Sequence, residues 1–260
     1  MWTTLGLERQ LNPRLQVADR EDFVAHVVRE LERPPYFRRM EVWNVEGAPL
    51  LGDLPTPPPL SAQEFARQAP DAIVLDTRME VGFGAAHVPG ALSIWMSGLP
   101  SFCGWFVPYD RPILLVNETD DPTQAVRYLT RMGYDVIAGY LSGGMLSWHL
   151  AGQESTAIPT TTVQALCHQL DAHEDLWILD VRSDDEVAAN EIPGAHHIHV
   201  TQLPGQMGQV PQDRTVYVFC GSGLRSMTAA SLLQRAGWQN LVVVLGGLAG
   251  WHSTTCPLDL

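Results

Sequence analysis

Cys220, Gly221, Ser222, Gly223, Leu224, Arg225 and Ser226 follow directly on the apolar run Val216 to Phe219. A run of that kind predicts a short buried strand, and the segment RSMTAASLLQRAG after it predicts a helix. Ligands gather at the carboxyl ends of the strands in an open parallel sheet, which is where this order places the thiol. Glycines at 221 and 223 let the backbone curl tightly. Successive N–H groups in such a loop turn inward as a nest, and the following helix adds partial positive charge. A cysteine so placed ionises well below the free value of about 8.5. Arg225 adds a fixed cation at the rim. The chemistry on offer is that of a thiolate nucleophile held among hydrogen-bond donors.

Two enzyme chemistries use such a cradle, phosphoryl hydrolysis and sulfur transfer, and loop length separates them. Cysteine phosphatases place five residues between thiol and arginine, leaving room for a tetrahedral phosphoryl group. Here four residues, Gly221 to Leu224, lie between Cys220 and Arg225. The smaller ring suits one additional sulfur atom, bound as a persulfide whose anionic outer sulfur accepts the N–H donors.

The elements that must position this loop occur twice. AIVLDTRMEVGFGAAHVPGA (72–91) and LWILDVRSDDEVAANEIPGA (176–195) align Asp76 with Asp180, Arg78 with Arg182, and Pro89-Gly90 with Pro193-Gly194. Farther on, YLTRMGYDVIAGYLSGGMLSW matches LLQRAGWQNLVVVLGGLAGW. Matching order and spacing of this extent mark an internal duplication. Each copy predicts a helix opened by a capping box (Ser61 with Glu64, Thr161 with Gln164), then a strand ending at Asp76 or Asp180. A Pro-Gly turn into a second strand, a third (ILLV or VYVF), a helix, a fourth (VIAGYL or LVVVL) and a Gly-Gly turn into a last helix complete the unit. Short apolar strands alternating with helices indicate an α/β fold with a parallel sheet covered on both faces.

Proline-rich stretches, LERPPYFRR with GDLPTPPPLS and then GQESTAIPTT, divide the chain. They set expected boundaries at 1–57 (a helical N-terminal tail), 58–155 (first repeat) and 156–260 (second repeat). In the tail, Phe23, Val24, Val27, Val28 and Leu31 form one helical stripe behind Asp19 as N-cap. A single helix of this kind must pack on the repeats or on a partner.

With 29 acidic against 16 basic residues the net charge is −13, which argues against nucleic acid or an anionic membrane as partner. Cys103, Cys167, Cys220 and Cys256 are widely spaced, forming neither a disulfide framework nor a zinc site. Together with the lack of a basic-then-apolar start or a spanning apolar run, this predicts a soluble protein in reducing, cytoplasmic surroundings. Cys167 on an apolar helical face reads as packing, Cys256 as incidental, and Cys103 as part of a packed loop. His196, His197 and His199 would alternate across a strand, without the converging set a metal needs. Trp148 and Trp251 read as core anchors. No metal and no cofactor are expected.

The combination of LDVR, IPGA, CGSGLRS and GGLAGW resembles the rhodanese family of sulfurtransferases, over roughly residues 59 to 255. The resemblance implies two tandem rhodanese domains and a ping-pong cycle in which Cys220 takes a sulfane sulfur, becomes a persulfide and passes the sulfur to a thiol or cyanide. It implies donor binding or loop ordering by Arg182, and loop ordering by Asp180. The CGSG opening is similar to mercaptopyruvate sulfurtransferases, whereas the closing arginine is similar to thiosulfate and persulfide users, so the donor stays open. The first repeat departs from the pattern: its aligned NETDDPTQ is one residue shorter and has Asn117 in place of the cysteine. Glu118, Asp120 and Asp121 repel anions there, and Pro122 lacks an N–H. That repeat is expected to be catalytically inactive. The tail (TTLGLERQLNPRLQ to RRMEVWNVEG) resembles the closing segment of a metallo-β-lactamase-fold domain of the persulfide dioxygenase or glyoxalase II kind. The chain thereby resembles the C-terminal part of such a fusion, or a module working with a separate protein of that fold. Two alternatives accompany sulfur transfer: a sulfur-carrier or docking module without turnover of its own, and a phosphatase of related fold.

Overall fold

The computed structural model describes residues 2–28, 33–172 and 175–251. They fall into two compact units, one up to Pro34 and one from Pro35 onward. The first unit holds α1 (Leu5–Leu11), capped by Thr4, and α2 (Arg20–Val27). Asp19 caps α2 as expected, accepting from the Glu21 and Asp22 N–H groups. The helix is shorter than its apolar stripe predicts: Val28 is its extended C-cap, and Leu31 lies outside the described residues. Phe23, Val24 and Val28 are exposed.

The second unit opens with α3 (Tyr36–Glu46), a helix the apolar pattern did not predict. It is fixed by aromatic contact with the first repeat. The Tyr36 ring lies against Gly104 and the Trp43 ring against Gly133. The Arg39 guanidinium sits 4.5 Å from the Trp43 ring centroid and 4.3 Å from that of Tyr109, a cation–π arrangement.

The first repeat runs β1 (Pro59–Leu60), α4 (Ala62–Gln68), β2 (Ile73–Asp76), α5 (Glu80–Ala85), β3 (Leu92–Ser93), α6 (Leu99–Phe106), β4 (Ile113–Val116), α7 (Thr123–Arg131), β5 (Ile137–Leu141) and α8 (Gly144–Leu150). The second runs β6 (Thr160–Thr162), α9 (Val163–Asp171), β7 (Trp177–Asp180), α10 (Asp184–Ala189), β8 (His196–His197), α11 (Leu203–Gln206), β9 (Val216–Phe219), α12 (Leu224–Arg235), β10 (Leu241–Leu245) and α13 (Gly247–Trp251). The sheet orders are β1-β5-β4-β2-β3 and β6-β10-β9-β7-β8, the same topology twice. Every pairing between these strands is parallel. The expected α/β architecture is thus present in both copies. Strands β2 and β4 are buried along their whole length, as apolar runs covered on both faces should be.

Four local features differ from expectation. The edge strands β1 and β6 precede the first helix of each repeat, and α5 and α10 fill the segments expected to be plain connections. Helices α6 and α11 likewise fill the stretch between the second and third predicted strands, so Cys103, expected in a packed loop, lies on α6. The Ser61–Glu64 capping box forms, but α9 is capped by Thr162, whose Oγ1 accepts from Ala165 N–H. Thr161 is drawn into β6 instead, in register with Val244. The ladder took the residue that the box pattern assigned to the cap.

One apolar cluster joins the repeats, uniting Phe65, Phe83 and Leu114 with Val218, Cys220 and Leu233. Helix α12 lies in this seam. Its Met227 packs against Gly84 of the first repeat, and its Ser231 Oγ accepts from Ser93 N–H at 3.1 Å. His87 pairs its backbone with Thr156 of the connecting segment, and its ring bonds Gln234 of α12 at 2.8 Å. Among the described residues no helix is long and apolar enough to cross a membrane.

Candidate active site

Strand β9, in the interior of the second sheet, ends at Phe219 and delivers Cys220 to the carboxyl edge. Three backbone bonds then fasten the loop to the start of α13: Leu248 N–H to Cys220 O (2.9 Å), Ala249 N–H to Gly221 O (3.0 Å) and Gly246 N–H to Ser222 O (2.9 Å). The chain has no cis peptide bonds, so each N–H points opposite to the carbonyl of its own peptide. With the three carbonyls turned to α13, the N–H groups of Gly221, Ser222 and Gly223 face away from it. The last of these donates to the Cys220 Sγ at 3.1 Å.

Gly223 closes the curl and caps α12 with φ of 114°, a region open chiefly to glycine. The first N–H groups of a helix have no partner within it. Among the described residues, no acceptor takes the N–H of Gly221, Ser222, Leu224, Arg225 or Ser226. The Ser226 Oγ is likewise buried without a partner there. The loop is a donor-rich ring around a thiol that is itself fully buried.

The Gly-Gly turn sets the height of this ring. A Cβ on Gly247 would lie 2.1 Å from Cys220 O and 2.7 Å from Ser222 N. At the matching Gly144 the nearest atom, Asn117 O, is 3.8 Å away. Gly247→Ala is therefore expected to cost about 2–4 kcal/mol, combining backbone overlap with left-handed strain, against about 1–2 kcal/mol for Gly144→Ala. Denaturant titration of both variants checks the difference, and equal losses would refute the clamp.

Arg225 does not stand free. Its Nη1 and Nη2 each lie 2.6 Å from an oxygen of Glu186. Glu186 sits at the third position of α10, where its Oε2 also accepts from the N–H and Oγ of Ser183 (3.0 and 2.9 Å). Chiefly through Arg225, its carboxyl is held down at about 2. Sequence expectation missed Glu186, although the signature was present as a Ser183-x-x-Glu186 capping box.

Asp180 and Arg182 lie beneath the loop and are buried. Arg182 binds both Asp180 oxygens, with Nη2 at 2.6 Å. Its remaining donors reach the carbonyls of Glu186 (3.3 Å) and Asn190 (2.7 Å) at either end of α10. The guanidinium is thus engaged within the fold on every nitrogen. Asp76 and Arg78 repeat this network in the first copy, with the carbonyls of Gly82 and Ala86 as acceptors.

In the first copy, acids of the loop take up neighbouring donors. Asp120 accepts from Gly143 N–H (2.7 Å) and Asp121 from Thr123 N–H (2.9 Å), while Asn117 Oδ1 accepts from the Thr77 hydroxyl (2.8 Å). An anion entering there would meet the carboxylates of Glu118, Asp120 and Asp121.

The other singled-out residues lie elsewhere. Cys103 is buried in the first repeat's core, where desolvation pushes its thiol well up. Cys167 is buried beside Val163, Leu166 and Trp251, but it is disulfide-bonded and not the plain packing thiol that the wide cysteine spacing predicts. Cys256 lies outside the described residues. His196 stacks on Trp177, His197 Nε2 bonds Arg182 O, and His199 Nδ1 bonds the Thr201 hydroxyl. Burial lowers the pKa of His199. Trp148 and Trp251 are buried and meet Phe65 and Phe219 edge to face.

Comparison with known proteins agrees with this geometry. The profile of the rhodanese-like domain matches residues 61–151 and 161–254. The putative sulfurtransferase YtwF of Bacillus subtilis is 36% identical over 100 residues, covering 38% of this chain and 96% of that protein. The putative sulfur carrier protein YrkF of the same organism is 29% identical over 105 residues, which cover 40% of this chain and 57% of that protein. A Staphylococcus aureus metallo-beta-lactamase structure aligns at 25% identity and a TM-score of 0.45, covering 53% of this chain and 38% of that one.

Proposed function

The chain belongs to the rhodanese-like domain family, and on that premise we propose that it is a sulfurtransferase working through a persulfide on Cys220. The observation that carries this is the loop of five backbone N–H groups that have no acceptor among the described residues, beside a thiol that already takes a sixth. Such a ring suits the anionic outer sulfur of a persulfide. In the first step the Cys220 thiolate attacks the terminal sulfur of a sulfane donor. A new S–S bond forms, the donor's S–S bond breaks, and its electron pair leaves as sulfite from thiosulfate or as a thiolate from a persulfide. In the second step an acceptor thiolate or cyanide attacks the outer sulfur and releases the Cys220 thiolate. The cycle involves no net oxidation and needs no cofactor. 3-Mercaptopyruvate remains a candidate donor.

The second repeat carries the reaction; the first serves as a packing platform for α12, its own loop having Asn117 in place of the cysteine and the acids Glu118, Asp120 and Asp121 beside it. The N-terminal helices are proposed to belong with a metallo-β-lactamase-fold domain or partner. The decisive experiment is intact-protein mass spectrometry after incubation with thiosulfate or glutathione persulfide. A gain of one sulfur atom, about 32 Da, mapping to Cys220 is expected for thiolate chemistry. No adduct with any sulfane donor, together with hydrolysis of an aryl phosphate, would overturn the assignment. An adduct that no free acceptor discharges would favour a sulfur carrier.

A further inference from the structure

Within the proposed sulfur-transfer reaction, on which this inference rests, we infer that Glu186 sets the charge of donor the site accepts. It disfavours doubly charged donors such as thiosulfate against singly charged ones. The arginine at the end of the loop would, alone, offer a cation to any anionic donor. Its two terminal nitrogens are both spent on Glu186, at 2.6 Å each. Glu186 in turn is anchored from behind by Ser183, so neither partner swings away without breaking charge-assisted bonds. The pair lies on the loop itself: the Cβ position of Gly221 is 3.0 Å from Arg225 Nη2 and 3.6 Å from Glu186 Oε1.

The carboxylate is the more open partner, with 37% of its side chain exposed against 20% for Arg225. An incoming anion therefore meets negative charge as readily as positive. Other groups nearby do not restore a cation. Arg182 is tied to Asp180, and Asp184, 3.8 Å from His197 Nδ1, adds another acid. What is left to hold the transferred sulfur is the backbone ring, which fits one anionic atom and does nothing for a second charge. Glu186 is a positioning residue here. It acts through Arg225 and through its field, not on the reacting atoms.

Thiosulfate and methanethiosulfonate make a matched pair of probes. Cys220 takes the terminal sulfur from each, and the electron pair leaves on sulfite or on methanesulfinate; the donors carry two charges and one. Glu186→Gln preserves an acceptor for the Ser183 cap and removes the charge. It is expected to raise kcat/KM for thiosulfate about tenfold, the effect of one unit charge several ångströms away in partly solvated surroundings, and through KM. The change for methanethiosulfonate is expected to stay below about threefold. Glu186→Asp keeps the charge and should leave the donor ratio at the wild-type value. An unchanged ratio in Glu186→Gln, an equal loss with both donors, or a shift in Glu186→Asp matching that in Glu186→Gln would overturn the inference. Each of those results is read on a protein whose wild type forms the Cys220 adduct. Absence of the adduct from both donors refutes sulfur transfer itself, and this inference with it.

Discussion

Cys220→Ala is expected to lose sulfur-transfer turnover by ~10³-fold or more, because the group that carries the sulfur is gone and the ring cannot supply another. The other described cysteines offer no substitute. Cys103 is buried in the other repeat's core with its pKa pushed up, and Cys167 is disulfide-bonded. The fold should survive. The substitution removes one buried sulfur and leaves Gly223 N–H without its acceptor, a loss of about 1–2 kcal/mol. Cys220→Ser keeps the shape and an acceptor but not the nucleophilicity, so it should be equally inactive and more stable than Cys220→Ala. Asn117→Ala is expected to stay within about twofold of wild-type turnover, since the matching loop holds no thiol and carries the acids Glu118, Asp120 and Asp121. Initial rates of thiocyanate formation from thiosulfate and cyanide, beside denaturant midpoints, measure all three. More than a tenth of wild-type rate in Cys220→Ala would refute the role given to this thiol.

Much of this site was legible before any coordinates. The strand ending at Phe219, the glycines at 221 and 223 and the duplication all leave local signals, because buried parallel strands are continuous apolar runs and tight curls need glycine. What was not legible arises from contacts between distant segments. Gly247 bears on the Cys220 carbonyl from 27 positions downstream. Glu186 reaches Arg225 from a six-residue helix with no apolar stripe, so periodicity does not reveal α10. Ser226, Thr228 and Ser231 are polar yet fully buried on α12, since the first repeat covers the face that a lone helix would turn to water. Thr161, assigned as a cap, was claimed by strand pairing. The common theme is that tertiary pairing decides among residues that local pattern leaves equivalent.

Arg182 is where the two roles implied by resemblance, donor binding and loop ordering, separate by measurement. Its side chain is fully buried and bonded to Asp180 and to two carbonyls of α10. Arg182→Ala leaves the Asp180 charge buried without its partner, a change that costs about 3–5 kcal/mol. It also frees α10 and with it Glu186, so Arg225 loses its anchor. Arg78→Ala removes the same network around Asp76, and a loss of similar size is expected. The two variants should then part in activity: turnover per folded molecule falls in Arg182→Ala and holds near wild type in Arg78→Ala. If Arg182 instead bound the donor directly, Arg182→Ala would raise KM for thiosulfate while the denaturant midpoint stayed near wild type. Asp180→Asn discriminates further. It keeps the volume and removes the charge that makes the pair necessary, so the double variant Asp180→Asn/Arg182→Met should recover part of the stability that Arg182→Ala loses, because a buried charge no longer stands unpaired.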